Sequence, residues 1–172
     1  MNLEDLKEDK QIFVIANDIR SLINVGTIFR ICDGLAVKKL FLCGLTGHPK
    51  YQNDPRRFEV TERADKEIKK TALAGFENVD WEYRENILDL LEKLKKQNIQ
   101  IVSLEQVSQS INYLEADYKF PLAIVVGHER EGVEQEVIKL SDLAVEIPMF
   151  GKGKSLNVAT SLGILGYEIR KR

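Results

Sequence analysis

Apolar positions follow two alternating rhythms along this chain. Short apolar runs at Gln11–Ala16, Lys39–Cys43, Val79–Tyr83, Ile99–Leu104, Pro121–Gly127 and Leu143–Ile147 read as strands. Pro121–Gly127 is the clearest, with the unbroken apolar character of a strand covered on both faces. Between the runs the spacing changes to three and four. Val25, Ile28, Phe29 and Cys32 share one helix face, as do Ala64, Ile68 and Ala72 within 64–73, and Ile87, Leu90, Leu91 and Leu94. Val133, Val137 and Leu140 mark a short helix, and Val158, Leu162, Leu165 and Ile169 mark the last one, over 157–172. Gly34 is placed to end the first helix as a left-handed cap. Residues 44–60 carry Gly44, Gly47, Pro49, Asn53 and Pro55 and read as a long loop. Strands alternating with helices predict an α/β fold, a mostly parallel sheet with helices on both faces. In such sheets ligands sit beyond the carboxyl ends of the strands. The loops after Ala16, Leu104, Gly127 and Ile147 are therefore where chemistry is expected.

Composition narrows the class without changing the fold. At 172 residues the chain is expected to form a single domain, 1–172, with no separate RNA-binding domain. Hydrophobic residues make up 44% and charged residues 30%, which excludes a collagen-like, disordered or membrane-embedded chain. Met1–Asp5 is polar and acidic and lacks the apolar core of a signal peptide. With only Cys32 and Cys43, the chain reads as a reduced, cytoplasmic protein. The net charge of −2 means that any nucleic acid must be met by a local basic patch.

Familiar catalytic signatures fail. Gly153-Lys154-Ser155 resembles the end of a phosphate loop, but Pro148 stands where its first glycine belongs. Gly151-Lys152-Gly153 starts a dinucleotide fingerprint whose third glycine position is Leu156. His128-Glu129 lacks the second histidine of a zinc protease, since Gly132 occupies that position. Two histidines and two cysteines, far apart in sequence, predict no metal site.

Three segments remain. Asn24-Val25-Gly26-Thr27-Ile28-Phe29-Arg30 places Asn24 as a helix N-cap, with Arg30 beside the apolar stripe; read plainly, it is a capped helix with a surface arginine. Gly127-His128-Glu129-Arg130-Glu131-Gly132 puts Glu129 between two glycines at the end of the most buried strand; the plain reading is a charged turn. Ile147 through Ala159 runs from a strand through Pro148 and a basic glycine loop into a helix that Ser155 or Asn157 could cap. Backbone N–H groups and two lysines at a helix N-terminus would suit an anionic or polar ligand.

Together the three resemble the motifs of the SpoU/TrmH branch of the SPOUT superfamily, the RNA ribose 2′-O-methyltransferases. N-x-G-x-x-x-R is matched by Asn24, Gly26 and Arg30, G-x-E-x-x-G by Gly127, Glu129 and Gly132, and I-P-M-x-G-x-x-x-S-L-N-V-A by Ile147 through Ala159. Order and spacing agree, over about residues 11–172. Lys70-Thr71-Ala72-Leu73 fits a further stretch of the family, K-T-A-L-G-A-E, but Ala74-Gly75-Phe76 departs from its end. His128 stands where the family has a small or amide residue.

The resemblance implies a C-terminal deep trefoil knot, which periodicity cannot reveal. It implies S-adenosylmethionine as cofactor, lined by Leu104, Glu105, Gly127, Ile147, Met149 and Leu156. It assigns catalysis to Arg30, with Asn24, Glu129, Ser155 and Asn157 completing the site. Because a guanidinium does not deprotonate near neutral pH, Arg30 is read as an orienting and charge-stabilising group. A homodimer with a shared site is implied, and the small residues Ala159, Gly163 and Gly166 would permit close helix packing, between copies or within one. RNA contact is expected from Arg20, Arg56, Arg57, Lys152 and Lys154, with the Arg170–Arg172 end as a further basic group or a solvated helix end. The substrate expected of a chain without a separate RNA-binding domain is tRNA, whose loops offer bases for stacking. Ribosomal RNA is the alternative substrate, and a non-catalytic RNA- or cofactor-binding module of the same fold is the alternative role. No membrane partner is expected.

Overall fold

The computed structural model describes residues 10–172; Met1–Asp5, read above for a signal peptide, lies outside the described residues. Its strands are β1 (Ile12–Asn17), β2 (Lys39–Cys43), β3 (Trp81–Arg84), β4 (Gln100–Leu104), β5 (Ile111–Asn112), β6 (Leu122–Val126) and β7 (Leu143–Glu146). Its helices are α1 (Leu22–Gly34), α2 (Phe58–Ala72), α3 (Gly75–Asn78), α4 (Ile87–Lys96), α5 (Gln135–Leu140) and α6 (Val158–Lys171). The strands form one sheet in the order β3-β2-β1-β6-β4-β7-β5. Every pairing is parallel. Val14 stands level with Leu40 on one side and Ile124 on the other, and Ile124 is level with Val102. β6 is thus central and wholly buried.

The alternation of side chains along each strand builds two cores. Val14, Leu40, Val102 and Ile124 face α1, α2 and α6, meeting Ile28, Phe29, Ile68, Leu162 and Leu165. Ile15, Phe41, Ile101 and Val125 face α4 and α5, meeting Leu91, Leu94 and Val137. The expected α/β sheet with helices on both faces is therefore present. No helix among the described residues is long and apolar enough to cross a membrane.

Several local expectations are corrected. The N-cap of α1 is Ser21, whose Oγ accepts from the Asn24 N–H at 3.3 Å; Asn24 lies inside the first turn. The left-handed residue that ends α1 is Ala36, with φ 50°, and not Gly34. Val37 N donates to Cys32 O and Ala36 N to Asp33 O, both at 3.0 Å, a Schellman-type closure. Gly34 is needed for packing instead: a Cβ there would lie 2.7 Å from the Tyr167 hydroxyl. α2 begins at Phe58, so the long loop is shorter than its composition suggests. Of the two candidate caps for α6, Asn157 takes the role, its Oδ1 accepting from Ala159 N at 2.9 Å and Thr160 N at 3.3 Å. The small stripe on α6 serves internal packing: a Cβ at Gly166 would lie 2.4 Å from Leu35, and Gly163 faces Ile31.

Candidate active site

At the carboxyl ends of β4, β6 and β7 lies a cavity of about 190 Å³. Leu104, Glu105, Gly127, Ile147, Met149 and Leu156 all line it, joined by Glu129 and Ser155. Gln106, His128, Arg130 and Glu146 also line it, and sequence reading did not single out that role for them.

The 127–132 turn is folded back tightly. A Cβ at Gly127 would sit 2.2 Å from Gly132 O, so only glycine lets the two ends meet. Gly132 takes φ +73°. His128 Nδ1 accepts from the N–H groups of Arg130 and Glu131, both at 3.2 Å. An accepting Nδ1 leaves the ring hydrogen on Nε2. A side-chain amide oxygen would make the same two contacts, which explains how histidine substitutes there. Glu105 ties the turn to β4: its carboxylate accepts from Val133 N at 2.8 Å and from Gln106 N at 2.7 Å.

Glu129, Asn24 and Asn157 form one hydrogen-bonded chain. Asn157 Nδ2 donates to Asn24 Oδ1 at 3.0 Å, and Asn24 Nδ2 donates to Glu129 Oε1 at 3.0 Å. Glu129 also accepts from Ser21 N at 3.0 Å and Arg20 N at 3.3 Å, at the start of α1. Partial burial pushes the Glu129 carboxyl up, but the hydrogen bonds from Asn24, Ser21 and Arg20 outweigh it and hold the group below its ordinary range. Three segments distant in sequence are thus bound at one point beside the cavity. This chain orients groups. Glu129, the one carboxylate among its members, is engaged by Asn24, Ser21 and Arg20 and held below its ordinary range, so it is not poised as a proton acceptor. Ser155 lines the cavity and makes no hydrogen bond among the described residues.

Arg30 stands apart. It is exposed on α1, six residues beyond Asn24, about 9 Å along the axis at 1.5 Å per residue. It does not line the cavity of its own chain. Nor does it make an ion pair or hydrogen bond among the described residues. Arg20, Arg57, Lys152 and Lys154 are exposed. Arg56 is committed to its own loop: it grips the Asp54 carboxylate at 2.6 and 2.9 Å and donates to the carbonyls of His48 and Pro49. That grip, acting against the burial of the carboxyl, lowers Asp54 to about 2. Arg170 donates to the carbonyls of Lys10, Leu35 and Ala36, and Arg172 pairs with Glu168, so these two arginines brace the C-terminal helix. Sequence reading also missed His48, buried and stacked on Tyr83 at 4.2 Å, which anchors the 44–57 loop. Among the described residues no group of three or more metal-ligating side chains converges.

Comparison with known proteins adds an independent line. The profile of the SpoU rRNA Methylase family matches residues 11–167. A tRNA (guanosine(18)-2′-O)-methyltransferase of Aquifex aeolicus is 30% identical over 166 residues, covering 96% of this chain and 72% of that protein. The crystal structure of the A. aeolicus TrmH/SpoU tRNA modifying enzyme superposes with a TM-score of 0.71 at 29% identity, over 98% of this chain and 81% of that one. AviRb of Streptomyces viridochromogenes, a SpoU methyltransferase solved with AdoMet, reaches a TM-score of 0.79 at 18% identity, a likeness of fold, over 99% of this chain and 61% of that one.

Proposed function

Because the chain belongs to the SpoU rRNA Methylase family, we propose that it transfers a methyl group from S-adenosylmethionine to a ribose 2′-hydroxyl of RNA, with tRNA as the substrate. The observation that carries this reading is the junction of Asn24, Glu129 and Asn157 beside the cavity, since it joins the three motif segments into one site. The tRNA assignment rests on the relative named as a tRNA methyltransferase.

The cavity suits the cofactor. Leu104, Val126, Ile147, Met149 and Leu156 offer an apolar slot, and the 127–132 turn offers main-chain groups at its edge. When bound there, the cofactor supplies an electrophilic methyl group. The chain's own residues do the rest. Gly127 and Gly132 shape the slot, Glu105 keeps the turn on β4, and the Glu129–Asn24–Asn157 chain fixes α1 and α6 relative to it. Ser155 presents a hydroxyl to the slot. Arg30 meets the reacting ribose and its phosphate, holding the hydroxyl in line and stabilising the charge that develops as its proton leaves.

Arg30 lies outside its own chain's cavity, so it serves the cavity of a second copy in a homodimer. Exposed apolar side chains on both α1 and α6 support this: Ile23 and Tyr167 are each 57% exposed on helices that pack against one another. The family's deep trefoil knot belongs to the same reading, supported by β6 lying between β1 and β4 and by the 147–156 segment sharing one cavity with the turn after β6. A reduced, cytoplasmic setting accords with two free, buried cysteines.

The test has two arms. Calorimetry with S-adenosylhomocysteine should give micromolar binding that Arg30→Ala leaves intact while turnover on tRNA is lost. Mixing Arg30→Ala with the cavity variant Leu156→Arg, each inactive alone, should restore about a quarter of wild-type turnover, because random re-association into symmetric dimers leaves one intact shared site in half of them. No recovery would place Arg30 within its own subunit's site. No cofactor binding at all would favour a non-catalytic RNA-binding module.

A further inference from the structure

Phe150 is 99% exposed, while the other large apolar side chains facing solvent range from 36% to 67%. It follows Met149, which lines the cavity, and precedes Gly151, where a Cβ would find nothing within 4 Å. The ring therefore stands clear of the protein at the cavity's rim. Its neighbours along the chain carry one sign of charge, set against the carboxylates of Glu105, Glu129, Glu131 and Glu146 that line the adjoining cavity. Lys152 and Lys154 are exposed and pair with no carboxylate among the described residues, and the sequence has no acid between Glu146 and Glu168.

An isolated phenyl face followed in the same loop by two unpaired ammonium groups fits a base with its phosphates: the ring offers a stacking plane, and the lysines hold the backbone. A second copy of the same loop fits poorly, since a two-fold contact at Phe150 would crowd the lysines of both copies together. We propose that Phe150 is a stacking platform for a nucleobase adjoining the methylated ribose, with Lys152 and Lys154 on the neighbouring phosphates. The proposal rests on the RNA methyltransferase reading above.

Steady-state methylation of total tRNA tests it. Phe150→Ala should lower kcat/KM for tRNA about 5- to 150-fold, the range produced by losing one base–aromatic stack. Phe150→Tyr should stay near wild type, and Phe150→Leu, apolar but without a π face, should stay low. Affinity for S-adenosylhomocysteine and the sedimentation coefficient should not move in any of them. Separately, the indole introduced by Phe150→Trp should be quenched when total tRNA is titrated in the presence of S-adenosylhomocysteine, against a wild-type control that reports Trp81 alone. Phe150→Leu matching Phe150→Tyr, Phe150→Ala dissociating the assembly, or an unchanged kcat/KM would each overturn the platform. If the wild type methylates no RNA, the broader reading fails, and the quenching arm alone then decides the role of Phe150.

Discussion

Glu129 should be worth more to stability than a carboxylate in a surface turn. It accepts from Ser21 N and Asn24 Nδ2, both part-buried, and from Arg20 N, which is exposed. A hydrogen bond to an ionised acceptor contributes roughly 1.5–3 kcal/mol, and the exposed Arg20 N–H recovers water once the carboxylate is gone. Allowing for water entering the space left behind, Glu129→Ala should cost about 2–4 kcal/mol. Glu129→Gln keeps one acceptor oxygen but loses the charge at the start of α1 and turns an NH₂ toward a donor, so about 1–2 kcal/mol is expected.

The pH dependence gives a second handle. The carboxyl of Glu129 lies below its ordinary 4.5 in the folded protein, so its stabilisation is complete above that value and is lost as pH falls through the folded value. The gap between wild type and Glu129→Gln should therefore be constant near neutrality and narrow below about pH 4.5. Asp54, lowered to about 2, and Glu134, raised by burial and by its acidic neighbours, titrate alike in both proteins and cancel in the difference. Urea unfolding at fixed protomer concentration, stepped from pH 7 downward, reads both quantities. A loss under about 0.5 kcal/mol for Glu129→Ala, the size of an ordinary surface change, would refute the argument, as would a gap that stays constant in acid.

At Gly26 an added Cβ would lie 1.9 Å from Thr71 Oγ1 and 2.5 Å from the Ile68 carbonyl, so Gly26→Ala should force α1 and α2 apart. The cost should be about 1–3 kcal/mol or more, read as a lowered thermal midpoint. Arg56→Ala should lower stability by about 2 kcal/mol and leave tRNA affinity nearly unchanged, because its guanidinium is engaged within the loop. In the same variant the Asp54 carboxyl should return from about 2 toward its ordinary value, which a carboxyl NMR titration would detect. Replacing Lys152 and Lys154 with glutamine should weaken tRNA binding, lower the salt dependence by up to about one unit of slope per lysine, and leave cofactor affinity unchanged.

The elements most legible in the sequence are those whose burial is one- or two-sided and continuous. β6 is apolar throughout because both faces are covered, and α4 shows Ile87, Leu90, Leu91 and Leu94 on one face because only that face meets the sheet. The start of α2 is not legible. Arg57 makes no capping side-chain bond, and Phe58 and Val60 stay exposed, so no stripe announces the first turn. β5 is two residues long and exists through its ladder with Val145 and Glu146, a pairing that no local pattern encodes. Nor does periodicity place β6 between β1 and β4; that order is a property of long-range pairing.

Asn24 was legible as a cap-type residue and misread as the cap itself, and the reason is donor and acceptor parity. Asn24 and Ser21 are both cap-type residues three apart, and either could close the helix. Ser21 does so because Asn24 is claimed by partners 105 and 133 residues away. Those partners also fix what each position must be. Asn157 must turn its oxygen toward the N–H groups of Ala159 and Thr160, which leaves its NH₂ to face Asn24. Asn24 must then accept on one side and donate on the other, toward a group that only accepts because it also meets Ser21 N and Arg20 N. A carboxylate is such a group, and the amide of Asn24, with its acceptor and its donor on separate atoms, spans the two partners. The chain is therefore polarised from the start of α6 to the start of α1, with its two ends assigning the orientation of both amides. It follows that the cavity turn carrying Glu129 and the helix carrying Arg30 cannot shift independently, so a change at any of the three links should disturb the cavity and the position of Arg30 together.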